Sequence, residues 1–305
     1  MMRLVTVFDT NAYVGSSTES VRKLARQESE VGVVALASVW PCLELLARLG
    51  GSDAGRAARA HESLIRLWAH CGYRTPDGPR LRIQEAGEAM LSRGLFLRTP
   101  NEPLLEVGFV ADLVAAAVDG GSGSVLESHR EELAAVRQRV AHEEASMGGV
   151  TVRGELAGPM SIALRTALSQ PSALHIIAAG LIQALAEKLE INLEAVDTAS
   201  AVHRVVTNFP VAMQFMRELI LDGAGSGRIP GGENSTWDLK LTFHASLGAS
   251  LQGVPSLLVT DDKRIRRAAR SIGQPYRVAT LVEYQTLLCD DAMLRERVDT
   301  LISTD

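Results

Sequence analysis

The chain is poor in cysteine and lacks long apolar runs, and each shortage excludes a class of protein. Its 305 residues include three cysteines, an odd number without CxxC spacing. This argues against a disulfide framework or a zinc ribbon and favours a reducing compartment. The longest apolar run, near residues 173–186, is too short to span a bilayer, and the N-terminus has no apolar signal region. We therefore expect a cytoplasmic protein that does not associate with membranes.

Aromatic residues and net positive charge are also scarce. Aromatics make up 4% of the chain, whereas 46% is hydrophobic, so the composition indicates a globular, helix-rich body. The formal net charge is −5 and the pI is about 5.9. A general polyanion-binding surface is therefore not expected, and any contact with nucleic acid must come from a local basic patch.

The two ends of the chain carry the pattern of a parallel α/β sheet. Short buried strands are predicted at 4–8, 31–37, 254–260 and 276–280. Helices are predicted to follow these strands, and a further helix, capped by Ser235 or Thr236 after a Gly-rich loop, is predicted to precede the strand at 254–260. Alternating strands and helices are typical of a parallel sheet. We therefore predict one discontinuous α/β domain, formed by residues 1–51 and 230–305.

The middle of the chain has a different pattern. Residues 52–229 are predicted to be mostly helical, with only one weak strand candidate near 149–153. This segment is much longer than ordinary connections in compact domains. We predict a large all-helical insertion that provides a surface for a protein partner or for self-association.

Acidic residues occur at the boundaries of the predicted α/β elements. Asp9 ends the first strand, Glu44 lies two turns into the helix after the second strand, and Asp238 is expected in the first turn of its helix. Asp261 and Asp262 end a later strand. Parallel strands end at the same edge of a sheet. Carboxylates gathered there repel one another unless a hard cation such as Mg²⁺ or Mn²⁺ neutralises them.

Each acidic residue also has a purely structural explanation, which remains open at this point. Asp9 can start a turn, Glu44 can pair with Arg48, Asp238 can complete a capping box begun by Ser235, and Asp261 or Asp262 can cap a helix.

Four sequence blocks resemble the PIN domain, a family of metal-dependent nucleases that includes toxin ribonucleases and RNA-processing enzymes. The blocks are Phe8-Asp9-Thr10-Asn11, Ser38 followed by Glu44, Trp237-Asp238-Leu239, and Val259-Thr260-Asp261-Asp262-Lys263. The first and last blocks are the most specific. The resemblance covers about residues 1–50 and 230–290, and the middle of the chain matches no family pattern.

The resemblance implies a three-layer α/β/α fold and Mg²⁺- or Mn²⁺-dependent hydrolysis of phosphodiester bonds, with RNA favoured over DNA as the substrate. Asp9, Glu44, Asp238 and Asp262 take the acidic positions. Asp9, Asp238 and Asp262 are the implied metal ligands, and Asp261 beside Asp262 leaves the choice within that pair open. Asn11 and Thr260 take the polar supporting positions.

A basic helix face is predicted beside the acidic cluster. Lys263, Arg266, Arg267 and Arg270 lie at i, i+3, i+4 and i+7, on one face of the helix that follows Asp262. This face either binds phosphates of a nucleic acid or is simply solvated. Arg228, in the Gly-rich loop, is a further phosphate-binding candidate, and that loop is long enough to act as a lid.

Two other functions compete with the nuclease hypothesis. A catalytically weak or inactive PIN-like scaffold, with an insertion that binds a protein partner, would retain the fold alone. A phosphatase of the haloacid dehalogenase type would also place an aspartate after the first strand, but it needs a second aspartate where this chain has Asn11. His244 is the one histidine near the acidic blocks, and we expect it to be a packed or solvent-facing helix residue.

Overall fold

The computed structural model describes residues 4–13, 16–76, 78–96, 106–149, 159–170, 172–223, 233–245 and 254–303. Its strands, in chain order, are β1 (Leu4–Phe8), β2 (Val33–Ser38), β3 (Gly72–Thr75), β4 (Gly78–Leu81), β5 (Ile83–Gln84), β6 (Ser256–Val259) and β7 (Val278–Ala279).

The central sheet has five strands in the order β5-β2-β1-β6-β7, and every neighbouring pair is parallel. The predicted α/β class with a central parallel sheet is therefore confirmed. β1 lies in the middle of this order, and all five of its residues are buried, as expected for a strand covered on both faces. Its neighbours come from distant parts of the chain, with Val7 beside Leu36 on β2 and Leu258 on β6.

The described helices are α1 (Thr18–Val31), α2 (Val39–Leu49), α3 (Ala54–Cys71), α4 (Gly87–Phe96), α5 (Val107–Ser128), α6 (Arg130–Gly149), α7 (Pro159–Leu168), α8 (Ala173–Lys188), α9 (Thr198–Asn208), α10 (Pro210–Gly223), α11 (Glu233–Thr242), α12 (Lys263–Ser271), α13 (Leu281–Cys289) and α14 (Asp291–Ser303). Within this part of the chain, no helix combines the length and the apolar character needed to cross a membrane.

Local sequence signals explain how the first helix is placed before β2. The Ser17 side chain accepts a hydrogen bond from Ser20 N and caps α1. Gly32 ends the helix with φ of 77°, a left-handed conformation that glycine adopts without a Cβ clash. The chain therefore reverses within one residue and enters β2 beside β1.

The two faces of the sheet bury different apolar clusters. Leu4 and Phe8 of β1 pack in a cluster that includes side chains of α1, α2, α3, α5 and α13. Leu258 of β6 packs on the other face, in a cluster formed with α8, α9, α10 and α12. Alternation along each strand sends neighbouring side chains to opposite faces, which gives helices on both sides of the sheet.

The prediction that residues 52–229 are all-helical is wrong. This segment contains β3 and β4, which form an antiparallel hairpin, and β5, which pairs with Ala37 and Ser38 at the edge of the central sheet. β5 has two residues, too few to show an alternating pattern. The weak strand predicted near 149–153 is not seen at Gly149, which ends α6, and its other residues lie outside the described part of the chain.

The middle segment also shares its cores with the terminal segments. Leu64 of α3 and Leu133 of α6 lie in the same apolar cluster as Leu4. Phe215 of α10 lies in the cluster that contains Ile265 of α12. Burial of these side chains therefore depends on both parts of the sequence.

Candidate active site

Asp9 follows directly after β1 and is 2% exposed. Its Oδ2 accepts hydrogen bonds from Thr260 Oγ1 at 2.8 Å and from Asn11 Nδ2 at 3.3 Å. Its Oδ1 accepts from Thr10 Oγ1 at 3.2 Å and from Asn11 N at 3.3 Å. Burial raises the pKa of the Asp9 carboxyl, and the hydrogen bonds to its oxygens, of which the Thr260 bond is the strongest, oppose that shift. Asp9 therefore starts a turn, which was its purely structural explanation, and it also presents a buried carboxylate at the end of β1.

Asp262 lies at the end of the segment that follows β6. Its Oδ1 accepts from Arg264 N at 2.7 Å and from Ile265 N at 2.9 Å, which caps α12. Its own N–H donates to Thr260 Oγ1 at 3.1 Å. The capping explanation is confirmed for Asp262, and Thr260 connects it to Asp9. Asp261 is exposed.

Glu44 lies in the second turn of α2, where it is 8% exposed. Arg48, four residues later, donates from Nη2 to Glu44 Oε1 at 2.5 Å. The ion pair between Glu44 and Arg48, which was the purely structural explanation for Glu44, is therefore present. It places a guanidinium beside one of the four acidic positions.

Asp238 does not occupy the first turn of its helix, contrary to the prediction. α11 begins at Glu233, so Ser235 lies inside the helix and is not its N-cap residue. A capping box needs a serine or threonine at the N-cap and an acidic residue three positions later, so Ser235 and Asp238 do not form one. The prediction failed because a serine or threonine indicates that a helix begins nearby but does not determine the residue at which it begins. Asp238 is half-buried in the second turn of α11.

The electrostatic environment of Asp238 reflects the other three carboxylates. Burial contributes most to raising the pKa of Asp238 to about 8, followed by the negative charges of Asp262, Asp9 and Glu44, while Arg264 opposes the shift. Like charges that share a site disfavour the ionised form of each member. Asp238 is therefore close enough to Asp9, Glu44 and Asp262 to be repelled by each of them.

These residues line a single cleft of about 140 Å³ at the carboxyl edge of the sheet. Its lining is Asp9, Thr10, Asn11, Pro41, Glu44, Arg48, Trp237, Asp238, Leu241 and Asp262. The structure thus brings together all four predicted acidic residues and Asn11, with Thr260 bonded to Asp9 behind them. Asp261 is absent from this lining, so Asp262 is the member of the doublet that faces the cleft.

The side chains in this cleft are not arranged as a closed metal cage. Among the described residues, no three His, Cys, Asp or Glu side chains stand in a metal-holding group. In the same cleft, Asp262 Oδ1 caps α12, and Glu44 Oε1 is bonded to Arg48. The donor set itself consists of carboxylate oxygens, which suit hard cations such as Mg²⁺ and Mn²⁺.

The predicted basic face of α12 is divided by internal ion pairs. Arg266 pairs with Glu283 at 3.2 Å. Arg267 pairs with Glu218 at 2.8 Å and Asp222 at 3.5 Å. These two arginines connect α12 to α13 and α10 within the protein.

The other members of that face remain available to a ligand. Lys263 and Arg270 are exposed, while Ile265, Ala268 and Ala269 on the opposite face are fully buried. Arg228 and its Gly-rich loop lie outside the described residues.

Sequence reasoning missed Arg264 and Lys240. Arg264 is the cation that opposes the pKa shift of Asp238, although it lies off the basic face chosen from the sequence. Lys240 Nζ lies 3.0 Å from Glu143 Oε2 on α6 and 3.8 Å from the ring centroid of Trp40. These contacts anchor α11, and with it Asp238, to the middle segment. Lys240 is two positions after Asp238, and residues at that spacing do not face each other on a helix. The sequence therefore contained no indication that Lys240 positions Asp238.

His244 lies just beyond α11 and is fully buried. Its Nε2 is 2.8 Å from Ser38 Oγ, so it is a packed residue, as one of the two predicted outcomes required. This contact fixes the end of β2 against the segment after α11.

Comparison of the chain with protein-family models, with curated proteins and with solved structures found no match.

Proposed function

We propose that this chain is a PIN-like, metal-dependent nuclease that hydrolyses phosphodiester bonds, with RNA as the preferred substrate. One observation carries the proposal. Asp9, Glu44, Asp238 and Asp262 come from separate segments and line one cleft at the carboxyl edge of a parallel sheet. Ligands bind at this edge in open α/β sheets.

The residues of the cleft fit a hard divalent cation. Asp9, Asp238 and Asp262 would hold Mg²⁺ or Mn²⁺, with Glu44 contributing directly or through water. The raised pKa of Asp238 supports this assignment because a cation would relieve the repulsion from Asp9 and Asp262. When bound, such an ion supplies Lewis acidity that activates water and stabilises the leaving oxygen.

The protein's own residues prepare the cleft for that chemistry. Thr260, Thr10 and Asn11 donate to both oxygens of Asp9 and fix its orientation. Arg264 balances part of the negative charge near Asp238. Lys263 and Arg270, exposed on α12, would attract the phosphates of an RNA strand to an otherwise acidic protein.

A cleavage assay tests the proposal. Labelled single-stranded RNA and DNA are incubated with Mn²⁺ or Mg²⁺ and wild-type protein, Asp9→Asn, or the control Asp112→Asn on the exposed face of α5. We expect wild type and Asp112→Asn to cleave RNA alike and Asp9→Asn to lose about 100-fold or more of the rate. Equal inertness of all proteins on every substrate and metal would reject the nuclease. Equal cleavage by all three would assign the activity to another site or a contaminant.

An inactive scaffold is the second candidate, and the Glu44–Arg48 ion pair favours it. The Arg48 guanidinium lines the cleft and already neutralises one of the four carboxylates. In that case the middle segment would bind a protein partner or a second copy of the chain. This candidate predicts no saturable Mn²⁺ binding by calorimetry in a protein that is fully folded by circular dichroism.

A further inference from the structure

A second, larger cleft lies at the opposite edge of the sheet from the carboxylates. It has a volume of about 530 Å³, within the range of about 300–1,000 Å³ typical of small-molecule sites. The start of β2 at Val33 forms part of its wall. Asp9 and Thr260 follow the carboxyl ends of β1 and β6, so this cleft is separate from the candidate active site.

Three arginines line this cleft. Arg22 and Arg26 lie one turn apart on α1 and are exposed, and Arg82, just before β5, is half-buried. None of the three forms an ion pair with another residue that the structure describes. The Arg82 guanidinium lies 4.9 Å from the centroid of the Tyr73 ring, which limits the orientations of its planar donor group.

The acidic residue in the lining does not cancel this positive charge. Glu28 is 2% exposed, and both of its oxygens are occupied within the protein. Its Oε1 accepts from Tyr284 OH at 2.5 Å, and its Oε2 pairs with His70 Nε2 at 2.8 Å. Both Glu28 oxygens are thus bonded to side chains inside the protein, whereas Arg22, Arg26 and Arg82 have no ion-pair partner among the described residues.

The open edge of β2 adds backbone donors. β5 pairs only with Ala37 and Ser38, and Ala37 N donates to Arg82 O. Alternation along the strand turns the peptide groups of Val33 and Ala35 to the same side as Ala37. No described strand pairs with them there, and both residues line the cleft.

We propose that this cleft binds the phosphate group of a nucleotide, either free or within an oligonucleotide. Guanidinium groups bind phosphate oxygens bidentately, and Arg22, Arg26 and Arg82 provide three of them around one concavity. Val33 and Ala35, which also line the cleft, contribute backbone N–H groups that no described strand pairs. The volume exceeds that of a lone phosphate and accommodates the attached nucleoside.

Equilibrium binding to the full chain, in buffer without divalent cations, tests this inference. The probes are a nucleoside 5′-monophosphate, a 5′-phosphorylated oligonucleotide, the corresponding nucleoside without phosphate, and a dicarboxylate. The variants are Arg26→Gln and Arg82→Gln. The control is Arg59→Gln, an exposed arginine of α3 that is outside the cleft lining.

We expect saturable binding of a phosphorylated probe that weakens about tenfold or more in each cleft variant and is unchanged in Arg59→Gln. Binding of the monophosphate identifies free nucleotides as the source, and binding of the oligonucleotide alone identifies nucleic acid. The inference is overturned by no saturable binding, by equal binding of the unphosphorylated nucleoside or the dicarboxylate, or by equal loss in the control. Arg26 is exposed, so its variant retains the fold even where Arg82→Gln does not. Because no step depends on Asp9 or a metal, this test and the cleavage assay fail independently.

Discussion

Thr260 Oγ1 donates a 2.8 Å hydrogen bond to Asp9 Oδ2 and so joins residues 251 positions apart in the chain. The same hydroxyl oxygen accepts from Asp262 N at 3.1 Å. The Thr260 side chain thus connects the carboxyl ends of β1 and β6. It fixes the positions of Asp9 and Asp262, two of the four acidic residues of the candidate site, relative to each other.

Replacement of Thr260 by valine removes this connection. In this variant the buried Asp9 carboxylate and the backbone N–H of Asp262 each have one hydrogen-bond partner fewer. We therefore expect a loss of about 1–3 kcal/mol in the free energy of unfolding. The pKa of Asp9 is expected to rise further because the Thr260 bond is the main influence that lowers it. Urea unfolding measures the first effect. Thr286→Val, which removes an exposed hydroxyl bonded to Val282 O, is the control. An equal loss in both variants would contradict a special role for Thr260.

The His70–Glu28 pair predicts a pH-dependent stability. Burial alone lowers the pKa of His70, but the charge and hydrogen bond of Glu28, with a contribution from Cys71, outweigh it and raise the pKa to about 10. The folded protein therefore holds this proton more tightly than the unfolded chain, whose histidine has a pKa of about 6.5. The stabilisation is complete below about pH 6.5 and is lost as the pH rises through about 10.

Denaturant unfolding between pH 6 and pH 10 tests this prediction. We expect the wild type to lose about 2 kcal/mol or more across that range relative to His70→Gln. Glu28→Gln, which removes the charge partner, should flatten the profile in the same way. His61→Gln, at a histidine bonded to Ala117 O, should follow the wild type. A wild-type profile parallel to that of His70→Gln would show that His70 gains no proton affinity on folding.

Arg48 is expected to compete with a metal ion for Glu44. Arg48→Gln removes one cation from beside Glu44 and should tighten Mn²⁺ binding by about two- to fivefold, the effect of one partly exposed charge. Glu44→Gln should weaken it. Isothermal titration calorimetry measures both, with Arg56→Gln as a control that breaks an exposed pair with Asp53 away from the cleft. Unchanged affinity in both cleft variants would exclude Glu44 from the ion's surroundings.

The basic residues of α12 are expected to differ in their effect on RNA binding. Lys263→Gln and Arg270→Gln should each weaken binding of single-stranded RNA and reduce the slope against salt concentration by about 1. Arg267→Gln should cost less affinity, since that guanidinium already pairs with Glu218 and Asp222. Fluorescence anisotropy at several salt concentrations measures these effects. Arg295→Gln on α14, paired with Asp291, serves as the control, and an equal loss there would indicate only a general charge effect.

Short-range patterns in the sequence were enough to predict much of the α/β core. The apolar run that ends at Asp9 predicts β1, and the run at 31–37 predicts β2, although Val31 ends α1 and Gly32 caps it, so the strand begins at Val33. The Asp262 cap and the apolar face of α12 also follow from spacing along a helix. Such features depend on neighbouring residues, whose geometry the backbone fixes locally.

Contacts between distant residues were beyond the reach of such patterns. The hairpin of β3 and β4 and the two-residue β5 gave too short a signal to distinguish from loops within a helical segment. The start of α11 at Glu233 rather than Ser235 changed the position of Asp238 along its helix.

The sequence by itself determined the acidic residue types and the positions of Asp9 and Asp262 after strands, because strand periodicity and turn chemistry are local. Only the tertiary structure decided that four carboxylates and Arg48 line one cleft, and that Arg264 lies close enough to Asp238 to oppose its pKa shift. It also decided that Arg22, Arg26 and Arg82 converge at the other edge of the sheet. These groupings arise from packing of segments far apart in the chain, in which burial and charge depend on every neighbour at once.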